Sequence, residues 1–80
     1  MAVKLVFLGR LEDAAEAAER EVAVSGSLEA LMAALEPELA AALSDARVKL
    51  ALNGTLVTDR ASLMLREGDE LAFLPPVSGG

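Results

Sequence analysis

The sequence predicts an α+β roll, a mixed five-stranded sheet covered on one face by one main helix. Three observations carry this reading. Both ends of the chain alternate as half-buried strands do, over residues 2–8 and 70–74. Between them lies a helical stripe, Leu28, Leu31, Met32 and Leu35, with i, i+3, i+4, i+7 spacing. Asn53-Gly54 follows an alternating run directly, and both residues tolerate the positive φ that a tight hairpin needs.

The elements follow in order. Residues 2–8 place Val3, Leu5 and Phe7 on one strand face and Lys4, Val6 and Leu8 on the other, and Gly9 ends the run. Residues 11–18 are rich in Ala and Glu and read as a short helix whose one large apolar residue is Leu11. Residues 20–24 offer a second strand with Val22 and Val24 on one face. Ser25-Gly26-Ser27 then announces the main helix: Ser27 suits the N-cap, and Glu29 suits the positive helix end. Pro37 disfavours helical geometry at Glu36, so the helix breaks there and a second short one opens, carrying Leu39 and Leu43.

Residues 47–52 alternate again, with Val48, Leu50 and Leu52 on one side, and residues 55–58 are the return strand of the hairpin. Residues 59–65 are irregular or briefly helical, and Glu67-Gly68-Asp69 turns the chain into the last strand. Pro75-Pro76 stops that strand, since neither has an N–H for a ladder. The organisation is one domain over residues 1–76 and a flexible tail, Val77-Ser78-Gly79-Gly80. The first and last strands, both strongly apolar, are the candidates for central parallel neighbours.

Composition excludes most chemistry. At 80 residues the chain buries only about 60% of its unfolded surface, yet 54% of its residues are apolar. Seven basic against thirteen acidic residues give a net charge of −6, the wrong sign for a nucleic-acid backbone. Phe7 and Phe73 are the only aromatics, too few for a base-stacking platform. Without Cys there is no thiolate nucleophile or disulfide, and without His no ordinary general base near neutral pH. The longest apolar stretch, residues 71–77, falls far short of the roughly 20 residues of a membrane helix. No secretory leader is apparent around Lys4. A cytoplasmic, non-catalytic protein with no metal site and no membrane or nucleic-acid partner is expected. The carboxylates Glu12, Asp13, Glu16, Glu19 and Glu21 lack the loop spacing of a cation site and read as a solvated face. Ser78 has no base to activate it, and Met32 and Met64 read as core fillers.

The informative feature is the carboxyl terminus. Gly79-Gly80 carries no side chains, so it suits a narrow tunnel leading a free carboxylate into another protein's active site. Pro75-Pro76 stiffens the exit. A bare carboxylate, with a pKa of about 3.5, is an anion and a poor electrophile until it is activated.

The run Leu65-Arg66-Glu67-Gly68-Asp69-Glu70-Leu71-Ala72-Phe73-Leu74-Pro75-Pro76-Val77-Ser78-Gly79-Gly80 closely resembles the end of the molybdopterin synthase small subunits, the MoaD-type sulfur carriers. Val3-Lys4-Leu5-Val6-Phe7-Leu8-Gly9-Arg10-Leu11 resembles that family's first strand, and Leu52-Asn53-Gly54-Thr55-Leu56-Val57 its hairpin. The departure lies after the first strand. There Glu12-Asp13 and an alanine-rich run stand where the family often has an Arg-Glu pair and a glycine.

The resemblance implies a β-grasp (ubiquitin-like) fold. It implies that Gly80 is adenylated by a ubiquitin-activating-like adenylyltransferase using ATP with Mg²⁺, becomes a thiocarboxylate, and donates sulfur to cyclic pyranopterin monophosphate. The receiving partner would be the synthase large subunit, in a heterotetramer, with Pro75, Pro76, Val77, Ser78 and Gly79 inserted ahead of Gly80. A thiamine-pathway sulfur carrier and a ubiquitin-like protein modifier share the Gly-Gly logic, and a plain binding module is the blandest alternative. Strand alternation places Val6, Leu8 and Leu74 on the face away from the helix, beside the tail's exit, as a partner interface.

Overall fold

In the computed structural model, which describes residues 2–23 and 26–76, the chain opens with β1 (Val3–Phe7), α1 (Arg10–Ala15), β2 (Glu19–Val22) and β3 (Gly26–Ser27). It continues through α2 (Leu28–Ala33), α3 (Pro37–Leu43), β4 (Lys49–Leu52) and β5 (Thr55–Leu56). A single 3-10 turn (Arg60–Ser62), β6 (Met64–Leu65) and β7 (Glu70–Leu74) complete it. Five strands form one mixed sheet in the order β2-β1-β7-β4-β5. β1 and β7 run parallel at its centre, and every other neighbouring pair is antiparallel. The expected central pairing of first and last strands is therefore what the chain adopts.

Alternation sorts the side chains. Val3, Leu5 and Phe7 of β1, Leu71 and Phe73 of β7, and Leu50 of β4 with the preceding Val48 are buried on one sheet face. Against them pack Leu31 and Leu35 at α2, Leu39 and Leu43 of α3, and Leu11 of α1. Phe7 and Phe73 are register partners, with ring centroids 5.6 Å apart and planes 9° apart. Among the described residues the core holds no buried polar or charged side chain.

α2 ends at Ala33, earlier than the break expected at Glu36, so Leu35 packs on the core from the turn between the two helices. Glu36 is extended (φ −57°, ψ 139°), as a residue before proline prefers, and Pro37 opens α3. Ser27 caps α2, its Oγ accepting from the Ala30 N–H at 3.1 Å. Asn53 takes the positive φ expected of a hairpin corner and adds a second duty. Its Oδ1 accepts from the Glu70 N–H at 2.9 Å and its Nδ2 donates to Asp69 at 3.0 Å, tying the hairpin to the start of β7.

Several expectations need correction. The first helix ends at Ala15 rather than at residue 18, because Glu16 turns left-handed (φ 59°). The chain must leave the helix early: the Ala18 carbonyl accepts from the Phe7 N–H at 2.9 Å, which starts the β1–β2 ladder. β2 accordingly covers Glu19–Val22 rather than residues 20–24, and Val24 lies outside the described residues. β5 stops at Leu56, short of residue 58, and the Asp59 carboxylate caps the 3-10 turn through Ala61 and Ser62. A second sheet, β3 with β6, was not expected, since two residues per strand leave no periodicity to read. Met64 in β6 is exposed, not a core filler, and its neighbour Leu65 is the buried one.

One ion pair fastens β2 to the start of α3. The Arg20 guanidinium donates to both Glu36 carboxylate oxygens at 2.7 Å. These bonds, with one from Glu36's own backbone, hold the Glu36 carboxyl at about 2, well below its ordinary 4.5. A carboxyl lowered in the folded state contributes its stability above its ordinary value, and that contribution is lost as pH falls through the folded one. Glu36→Gln is expected to flatten the fall of the urea midpoint between about pH 4.5 and about 2 while lowering the midpoint at neutral pH. Urea titrations across this range check it, and an unchanged slope would show that the pair adds nothing.

Candidate functional site

The parallel β1–β7 pair places two side-chain rows on the sheet face that the helices leave uncovered. Register pairs Val6 with Ala72, Ala72 with Ala51, and Ala51 with Leu56, so these four line up across the sheet. One step toward the end of β7, Leu74 is paired with Lys49, and the Leu8 N–H donates to the Phe73 carbonyl at 3.2 Å. Leu8 therefore follows Phe7 alongside Leu74. Leu8 is 41% exposed and Leu56 57%, while Val6, Ala51, Ala72 and Leu74 are half-buried.

Charges bound this apolar area along β2, where Glu19 is the register partner of Val6, at the start of β1 and β7, and at Lys49 beside Leu74. Lys4 lies 3.3 Å from Glu19 and 3.9 Å from Glu70, with Glu21 its register partner on β2. These are exposed pairs, worth about 0–1 kcal/mol each, and they mark a border more than they hold the fold. The turn into β7 is fixed by Asp69. Its carboxyl is held below the ordinary value by the Arg66 N–H and then by the Asn53 side chain.

Of the residues expected at the site, Val6, Leu8 and Leu74 share this outer face, and Pro75 and Pro76 follow directly from β7, half-buried. Val77, Ser78, Gly79 and Gly80 lie outside the described residues. Sequence reading missed Ala51 and Leu56 as members of the face. The signal was present: a two-residue Asn-Gly turn fixes the register and sets Leu56 opposite Ala51. Among the described residues no three His, Cys, Asp or Glu side chains converge to hold a metal. No helix there is long and apolar enough to cross a membrane.

An exposed apolar face thus lies beside the strand end from which Pro75 and Pro76 follow. The sequence profile of the ThiS family matches residues 5–80. The chain belongs to the ThiS family. The molybdopterin synthase sulfur carrier subunit of Escherichia coli is 38% identical over 82 residues, covering 98% of this chain and 99% of that relative. Among solved structures, the complex of subunits 1 and 2 of molybdopterin-converting factor from Helicobacter pylori contains a match with a TM-score of 0.70 and 28% identity, both chains fully covered. SAMP1 from Haloferax volcanii matches with a TM-score of 0.73 and 27% identity, again over both whole chains. As the sequence led one to expect, this ThiS-family chain has the β-grasp, ubiquitin-like fold.

The two sheet faces differ in what they tolerate. Leu8→Asp and Leu56→Asp are expected to keep the thermal midpoint within a few degrees, because both side chains already meet water. Leu5→Asp, which buries an unpaired carboxylate, is expected to abolish the cooperative transition. Thermal melts followed by circular dichroism distinguish the two outcomes, and a collapse of both outer-face variants would place those leucines in the core.

Proposed function

We propose that this chain is the sulfur carrier subunit of a molybdopterin synthase. The observation that carries the reading is the parallel β1–β7 pair, which starts the tail at the rim of an exposed apolar sheet face. Whole-length identity to the Escherichia coli carrier subunit supports it, and so does a structural match solved in complex with its second subunit.

The chemistry belongs to the main chain. An adenylating partner, using ATP with Mg²⁺, joins the Gly80 carboxylate oxygen to the α-phosphorus and releases pyrophosphate. A sulfur nucleophile then attacks the Gly80 acyl carbon and AMP leaves, so Gly80 ends as a thiocarboxylate. In the large subunit its sulfur adds to cyclic pyranopterin monophosphate, and water cleaves the acyl–sulfur bond to regenerate the carboxylate. None of these steps asks for a side-chain base from the carrier, in keeping with a chain that has no His and no Cys.

The carrier's share is presentation. Val6, Leu8 and Leu74, joined by Leu56, dock on the large subunit, and Pro75, Pro76, Val77, Ser78 and Gly79 thread ahead of Gly80. A net charge of −6 speeds encounter with a basic pocket built for a phosphate-bearing substrate.

Adding one residue after Gly80 is expected to abolish sulfur transfer in a reconstituted synthase assay and leave the circular-dichroism spectrum unchanged. The change keeps Gly-Gly and displaces only the carboxylate, so full activity from this variant would overturn the carrier reading. Leu8→Asp and Leu74→Asp are each expected to weaken large-subunit binding at least tenfold, or about 1.4 kcal/mol. Calorimetric titration checks this, and unchanged affinity in both variants would move the interface elsewhere.

A further inference from the structure

Gly9 occupies a position that only glycine fills without strain, and the close approach there is to the root of the tail. Its backbone (φ 56°, ψ −133°) makes the corner between β1 and α1, with the Leu11 N–H bonded to the Leu8 carbonyl at 3.1 Å. A Cβ built on Gly9 would lie 2.8 Å from Pro75 Cγ, 3.7 Å from Cδ and 3.9 Å from Cβ. The Pro75 ring therefore rests on the bare Cα of Gly9. Pro75 is also where ladder hydrogen bonding must stop, since it has no N–H to donate. The last such tie beside it is the Leu8 N–H to the Phe73 carbonyl. On the other side of β7 the ladder runs one residue further, to Leu74 opposite Lys49, and Pro75 then meets Gly9.

We propose that Gly9 is a positioning residue for the tail: it seats the Pro75 ring and so fixes the tail's heading relative to the docking face. The inference rests on the carrier reading above and deepens it. Docking and threading must be satisfied together, because the outer face and the tail root belong to one rigid body. Four residues beyond Pro76 span at most about 14 Å when extended. For a tail held extended by a docked partner, a swing of about 10° at the root would move the far end by about 2 Å. Misplacement of a reacting atom by about 1 Å is enough to cost about 100-fold in rate. A methyl group at Gly9 pushes on the ring, and the fault appears in transfer after docking, not in docking itself.

A double-mutant cycle over Gly9→Ala and Pro75→Ala tests this with the full-length thiocarboxylated chain and its large subunit. The readouts are single-turnover sulfur transfer at saturating large subunit, dissociation constants for docking, and melting curves. Gly9→Ala is expected to slow saturated transfer at least tenfold with the docking constant within threefold of wild type. In the Pro75→Ala background, where the obstructing Cγ is gone and only the backbone strain of the substitution remains, its cost is expected to be at least threefold smaller.

A wild-type transfer rate from Gly9→Ala, or an equal loss in both backgrounds, overturns the inference and leaves the carrier reading standing. Absence of transfer from the wild-type chain overturns the carrier reading and this inference with it. Should Gly9→Ala fail to fold, Pro75→Ala alone decides: it empties the seat without touching Gly9. An undiminished saturated transfer rate from it overturns the inference, and a loss of threefold or more with unchanged docking supports it.

Discussion

Phe7 and Phe73 stack across the parallel contact between β1 and β7, and both rings are essentially buried. The centre of the sheet is built on that contact. It joins the first strand to the last, so the segment enclosed between them is nearly the whole protein, and closing it is the costly step of folding. In return, the two most apolar strands occupy the centre of the sheet, with β2 on one flank and β4 and β5 on the other. The same register that stacks the rings inside brings Val6 to Ala72 and Leu8 toward Leu74 outside. Core and candidate interface are two faces of one pairing.

The helices cover only the inner face. Leu31, Leu35, Leu39, Leu43 and Leu11 are spent on it, and the connections that follow add Leu63 and Leu65. Among the described residues no second layer covers the outer face, so that face needs residues that survive exposure. The polar end does so with the Lys4, Glu19 and Glu70 cluster. Toward the end of β7, Leu8 and Leu74 stay at least partly exposed, with Lys49 beside Leu74.

Strand alternation made most of this arrangement legible in the sequence. Residues 2–8 and 70–74 declare their inner and outer sides outright, and Pro37, Asn53-Gly54 and Pro75-Pro76 mark where elements stop. What stayed hidden was set by contacts distant in sequence. Glu16 has no special propensity for a left-handed cap, and takes that conformation because Ala18 must reach Phe7. The β3–β6 pair joins two dipeptides far apart in the chain, and its partner choice leaves no local pattern. Asn53 reads as a turn residue, but its bonds to Asp69 and Glu70 depend on β4 and β7 being neighbours. Gly9 likewise reads as the end of a strand, and its contact with Pro75 exists only once the two ends of the chain meet.

The composition of the outer face resolves an apparent conflict between docking and solubility. A central row of large side chains would be a standing invitation to self-association. Here the middle of the row is Ala72 and Ala51, and bulk is confined to Val6 and Leu56 at its ends and to Leu8 and Leu74 at the tail's rim. Small residues keep the exposed apolar area of this face modest. Lys4 and Lys49, the two lysines of the chain, lie on this same face beside the apolar rows. The face thus keeps its most exposed large apolar side chains, Leu8 and Leu56, away from its middle.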